Sequence, residues 1–202
     1  VLDATRTLFK LYQIHATISP DEDKGLDEFM KWGRTLLNDF DEIDRYLIKS
    51  KDLFCNLRDI KDIENWSFES EHLTPAQERF MAFWDLLPLY YEELNKTLSK
   101  DQLAYMGSIY KEVAENINLV FADNEQTHFI FAGFNALSPA EMSIMKQLHR
   151  LGRAEIFIDA DRFYYSDNNH EAGSFLRKFV AELQLSQPQF IRDELKSAAK
   201  RI

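Results

Sequence analysis

Carboxylates are the residues of this chain best able to do chemistry, and they gather in short runs. Asp159-Ala160-Asp161 places two acids two positions apart, just after an apolar run that reads as a strand. Carboxylates at the carboxyl ends of parallel strands can face a ligand or a metal ion. Against that stands a plain helix cap, or a pair with Arg162. Asp39-Phe40-Asp41-Glu42-Ile43-Asp44 is a second run. Asp41 and Asp44 share a helix face and could hold a cation, while Phe40 and Ile43 beside them favour a solvated acidic face over a site. Glu194-Leu195-Lys196 imitates half of a metal-dependent nuclease motif but has no Pro-Asp partner at a sensible distance, and it reads as a helix surface.

Other chemistries lack their residues. No Gly-x-x-x-x-Gly-Lys-Ser/Thr string exists to surround phosphates with backbone N–H groups, and no Gly-x-Gly-x-x-Gly follows a strand. His170-Glu171 has no second histidine at helical spacing, so zinc-protease chemistry has no support. Cys55 is the one cysteine; it forms no internal disulfide and reads as a small buried apolar residue. A single cysteine fits a reducing, cytoplasmic setting. Tyr164 and Tyr165, beside Arg162 and ahead of a Ser-Asp-Asn-Asn loop, are the aromatics placed to stack on a single nucleic-acid strand. Most of the 16 Phe, 8 Tyr and 3 Trp fall on inward helix faces instead.

The elements that carry these residues are mostly helices. The chain has 202 residues with only 6 Gly and 5 Pro, and scarce punctuation favours long helices. Apolar spacing predicts helices over 2–18 and 26–48, with a short one near 52–57. Thr74-Pro75-Ala76-Gln77, Ser99-Lys100-Asp101-Gln102 and Ser138-Pro139-Ala140-Glu141 are read as capping boxes that open further helices. The period changes after Asn124. The run from His128 to Gly133 and the run Ala154–Asp159 predict two short strands, the first buried on both faces, around the helix that Gly152 ends. Helices follow over 171–185 and 189–201, the latter still running at the last residue. The expected fold is mainly α with a small α/β part: a helical subdomain over 1–124 and a β-α-β slice over 125–202.

Charge and hydropathy bound the rest. Lys+Arg number 24 and Asp+Glu 34, a formal net charge of −10, so this chain is a poor sole clamp for phosphates. Apolar residues make up 45%, enough for a core. No run reaches the roughly 18 to 20 apolar residues that cross a bilayer, so no membrane partner is expected. The start at Val1 carries no signal-peptide pattern, and the chain reads as a piece of a longer protein.

Two stretches resemble a known family. Phe129-Ile130-Phe131-Ala132-Gly133-Phe134-Asn135-Ala136-Leu137-Ser138-Pro139-Ala140-Glu141, with Glu155-Ile156-Phe157-Ile158-Asp159 after it, and Trp32-Gly33-Arg34-Thr35-Leu36-Leu37-Asn38-Asp39-Phe40-Asp41-Glu42-Ile43-Asp44 resemble segments of AddB-like subunits of bacterial ATP-dependent helicase/nuclease complexes. These subunits belong to the superfamily I helicase lineage and process broken DNA ends. The resemblance implies that the first strand is the counterpart of a Walker B strand. Its acid, which helps hold Mg²⁺ on the nucleotide in active motors, is replaced here by Ala132 and Gly133. It implies a non-catalytic helicase-core segment with an insertion-like helical subdomain. The expected role is DNA double-strand-break end processing and recombinational repair, as scaffold or DNA-contacting part. ATP and Mg²⁺ would belong to the parent protein; DNA and a motor helicase/nuclease subunit would be its partners. No catalytic residue is assigned. The rival expectation is a free-standing acidic helical protein-interaction module with no nucleic-acid role, and a third is a metal-dependent hydrolase using Asp159 and Asp161.

Overall fold

The computed structural model describes residues 1–20, 25–64, 75–121, 127–134 and 136–185. It is mainly helical, with one small two-stranded parallel sheet among the described residues. The chain divides into two compact units, residues 1–111 and 112–202, where the sequence suggests a change of character near residue 124.

The first unit is built on α1 (Ala4–Ile18), α2 (Leu26–Arg45), α3 (Ser50–Glu64) and α4 (Pro75–Lys100), with the start of α5 (Met106–Glu115). Asp3 caps α1 by accepting from the Arg6 N–H at 2.9 Å. Leu8, Leu11 and His15 then recur at three- and four-residue steps and are buried. On α2 the buried stripe is Phe29, Leu36, Leu37, Phe40 and Ile43, continued by Asp44. These side chains meet Leu87, Tyr90, Tyr91, Leu94 and Leu98 of α4 in one core. Rings dominate it: Trp32 stands edge-on to Phe29 and Phe83, and Phe40 edge-on to Tyr91 at 5.2 Å. Edge-to-face contacts add to the area such rings bury.

Two expectations about this half change. Ser99 does not open a helix; it lies in the last turn of α4. The Gln102 N–H donates to the Ser99 carbonyl and the Leu103 N–H to the Leu98 carbonyl, with Gln102 at φ 55°, so the Ser-Lys-Asp-Gln run closes α4 instead. Leu98 is buried in the core, and that packing keeps Ser99 inside the last turn of α4. The helix near 52–57 is longer than expected, running to Glu64. Trp66, Phe68 and the capping Thr74 lie outside the described residues.

The second unit contains the β-α-β arrangement. β1 (Phe129–Ala132) pairs in parallel with β2 (Ala154–Phe157), Phe129 opposite Ala154 and Ala132 opposite Phe157. Between them runs α7 (Pro139–Arg150), where Ser138 and Glu141 form the expected capping box. Gly152, at φ 67°, ends the connection. Short helices α6 (Ile117–Val120) and α8 (Arg162–Ser166) were not foreseen. The expected helix over 171–185 begins as a 3-10 turn, Glu171–Gly173, and continues as α9 (Ser174–Glu182). Ile117, Leu148 and Ala154 form the small core, with Phe121, Phe129 and Phe131 against it. β1 is not buried on both faces: Ile130 is 68% exposed. The predicted helix over 189–201, with Glu194 and Lys196, lies outside the described residues. No helix among the described residues is long and apolar enough to cross a membrane.

Candidate functional site

Of the residues singled out in the second unit, Ala132 and Gly133 lie at the end of β1, Asp159 and Asp161 follow β2, and Arg162, Tyr164 and Tyr165 lie in α8. β1 stops at Ala132, and the Gly133 N–H closes the ladder on the Phe157 carbonyl at 3.2 Å. Gly133 takes φ 75°, a conformation that favours glycine, and turns the chain into the exposed Phe134. Neither Ala132 nor Gly133 offers a side chain that could hold Mg²⁺, so the end of this strand does not fit a nucleotide-bound metal. β2 continues into Ile158-Asp159-Ala160-Asp161. Asp161 is the N-cap of α8, its carboxylate accepting from the Phe163 N–H at 2.8 Å. The helix-cap alternative therefore describes Asp161. Asp159 is exposed and makes no ion pair or hydrogen bond among the described residues. No group of three or more His, Cys, Asp or Glu side chains is arranged to hold a metal ion among the described residues.

The end of α8 and the segment after it are tied down by Arg177 of α9. One of its terminal nitrogens donates to the carbonyls of Tyr164 at 3.0 Å, Tyr165 at 3.3 Å and Asp167 at 2.9 Å. The other donates to the carbonyls of Asn168 and His170 at 3.3 and 3.1 Å. A guanidinium presents five N–H donors in a rigid fork, which is why a single side chain can gather a whole loop. Gly173 admits the Tyr164 carbonyl so closely that an added Cβ would lie 1.9 Å from it. The Tyr164 ring packs against His170 at 4.6 Å and Phe163 at 5.2 Å.

These contacts shape a cavity of about 450 Å³, walled by Phe134, Tyr164, Phe175 and Phe179 with Asp159 and Asp161 in its lining. It brings together three of the singled-out residues, Asp159, Asp161 and Tyr164. It leaves out Ala132, Gly133, the exposed Arg162 and the half-buried Tyr165. No Lys or Arg among the described residues lines it.

A second polar centre lies in the first unit. Asp44 is 1% exposed, and its carboxylate accepts from the Tyr91 hydroxyl at 2.5 Å, from the Tyr105 hydroxyl, and from the Lys111 ammonium at 3.0 Å. The expected solvated acidic face is thus wrong for Asp44: the cation it holds is an internal ammonium. Its neighbour Asp41 accepts from the Gly107 N–H and from Arg45 Nε, each at 2.5 Å. Only Asp39 and Glu42 stay exposed, and partial burial, then Glu42, pushes the Asp39 carboxyl up. Burial and then the Asp44 charge raise the Tyr105 hydroxyl well above the usual phenol range. Burial opposes the charge on Lys111, but Asp44 and Tyr91 outweigh it and hold the ammonium protonated. This centre ties α2, α4 and α5 together rather than facing a ligand. Lys111, Tyr91, Tyr105 and Arg177 carried no local signal, since each partner lies far away in sequence or is a backbone carbonyl. Cys55, expected buried, is exposed.

Compared with protein-family models, curated proteins and solved structures, the chain matches none.

Proposed function

We propose that the chain is a non-catalytic part of an AddB-like subunit of a helicase/nuclease complex, serving DNA-end processing and recombinational repair as a scaffold or DNA-contacting part. One observation carries the reading: a parallel β1–α7–β2 arrangement whose first strand ends in Ala132-Gly133, where a motor would need a carboxylate. The two sequence stretches resembling the family, in order along the chain, support it. Residues 1–124 would then be an insertion-like helical subdomain and 125–202 a slice of the helicase core. ATP and Mg²⁺ would act elsewhere in a cytoplasmic parent protein, beside a motor subunit. Arg162 and Tyr165 would be the DNA contacts, since Tyr164 shares its cavity with two carboxylates that repel phosphate.

The test is binding of tailed duplex DNA across a salt series, together with ATP hydrolysis. The expected result is binding that weakens steeply with salt and no hydrolysis. Replacing Arg162 by Ala should lower the salt slope by about one phosphate contact. ATP turnover that is lost on Asp159→Ala would overturn the scaffold role. Absence of binding even at low salt would favour the second reading, an acidic helical protein-interaction module. That reading is supported by the net charge of −10 and by an apolar groove of about 600 Å³ between α2, α3 and α4, lined by Trp32, Phe54, Phe83 and Trp84.

A further inference from the structure

We propose that the cavity at the carboxyl ends of β1 and β2 is a binding site for a small organic ammonium ion. Its volume of about 450 Å³ lies within the range of small-molecule sites, and its lining has the composition of one: mostly apolar walls with a few polar groups.

The charge of the lining chooses the ligand. Among the described residues, Asp159 and Asp161 are the only charged side chains that line it and no Lys or Arg does, so this lining repels an anion. A metal ion is poorly served as well: hard cations need six or more oxygens or a compact set of ligands, and among the described residues no third His, Cys, Asp or Glu joins this pair. The walls are aromatic, and ring faces attract cations that a carboxylate alone would leave hydrated. An organic ammonium ion satisfies both features, because its alkyl groups cover the rings and its charge meets the carboxylates.

The site is built before any ligand arrives. Arg177 gathers the loop carbonyls behind Tyr164, and His170 and Phe163 pack on its ring. Asp161 is fixed by its hydrogen bond to the Phe163 N–H. Phe175, 77% exposed, is one of the rings that line the cavity. Such pre-organisation lowers the cost of binding. The proposal does not depend on the DNA reading.

The test uses the full chain, with choline as probe and 3,3-dimethylbutan-1-ol, its uncharged isostere, as the control. Calorimetry at fixed ionic strength should give saturable choline binding at least about tenfold tighter than the isostere, the scale of a desolvated cation–π contact. Asp159→Asn and Phe175→Ala should each weaken choline by about the same factor. Both residues are exposed, so neither change threatens the fold. Asp39→Asn, an acid of the other unit, should leave the affinity unchanged and so separates the cavity from the general negative field. The proposal is overturned if choline does not bind, if choline and the isostere bind alike, if both cavity variants bind as the parent does, or if Asp39→Asn weakens choline equally.

Discussion

Asp44 sits in the last turn of α2, where an anion meets the negative end of the helix dipole. It is tolerated because two tyrosine hydroxyls and the Lys111 ammonium meet its oxygens. Removing it strands a half-buried ammonium and two buried hydroxyls. Asp44→Ala should therefore cost about 3–5 kcal/mol, the scale of a broken buried pair, measured by urea unfolding; a loss below about 1 kcal/mol would mean water replaces the carboxylate. The same centre sets an alkaline limit. Tyr91, Tyr105 and Lys111 all keep their protons to higher pH when folded than when unfolded. The folded state then binds more protons than the unfolded chain once pH passes their ordinary values near about 10. Their stabilisation is complete below that point and falls as pH rises through it. Thermal melts from pH 8 to 11 should show a drop beginning near about pH 10, and Tyr105→Phe should make the drop shallower.

Elements meet where small residues allow it. Gly107 of α5 lies so near α2 that an added Cβ would be 2.3 Å from the Asp41 carbonyl oxygen. Backbone cannot yield as a side-chain tip can, so Gly107→Ala should destabilise by about 1–3 kcal/mol, read as a lower urea midpoint with an unchanged slope. At the other end of the chain α7 depends on its box, in which the Ser138 N–H and hydroxyl both donate to Glu141 at 2.8 Å. Ser138→Ala should cost about 1 kcal/mol. Arg177 joins α9 to α8 and to the loop after it through five carbonyls. Arg177→Lys replaces a fork by a point charge, and hydrogen exchange at 164–170 should accelerate by at least about tenfold, the scale of one lost charged hydrogen bond; unchanged protection would show that the loop holds itself.

At the scale of the molecule, each compact unit has its own core. The first is large and ring-rich, whereas the second is small, and its sheet leaves Ile130 and Phe157 exposed. Thermal unfolding should resolve into two steps. Asp44→Ala is expected to move the step belonging to the large core and Ser138→Ala the other; a single transition shifted by both would show that the units unfold together.

The sequence by itself determined what short-range physics controls. Apolar residues at three- and four-residue steps specified α1 and α2, because burial of one stripe is a local pattern. Ser138-Pro139-Ala140-Glu141 specified the start of α7, because both partners of the cap lie within one turn. The change to a continuous apolar run specified β1 and β2. Tertiary structure decided what depends on distant partners. Ser99 also carries a capping signal, yet it lies in the last turn of α4 with Leu98 packed in the core, and its run closes that helix instead of opening another. Asp44 looks solvated in a row of acids until Tyr91, Tyr105 and Lys111, 47 to 67 residues away, enclose it. Asp161 and Asp159 look alike in sequence and line the same cavity, but Asp161 also accepts from the Phe163 N–H while Asp159 makes no hydrogen bond among the described residues. A side chain's charge is written in its residue type; its solvent and its counter-charge are set by the packing of elements that the chain brings together only on folding.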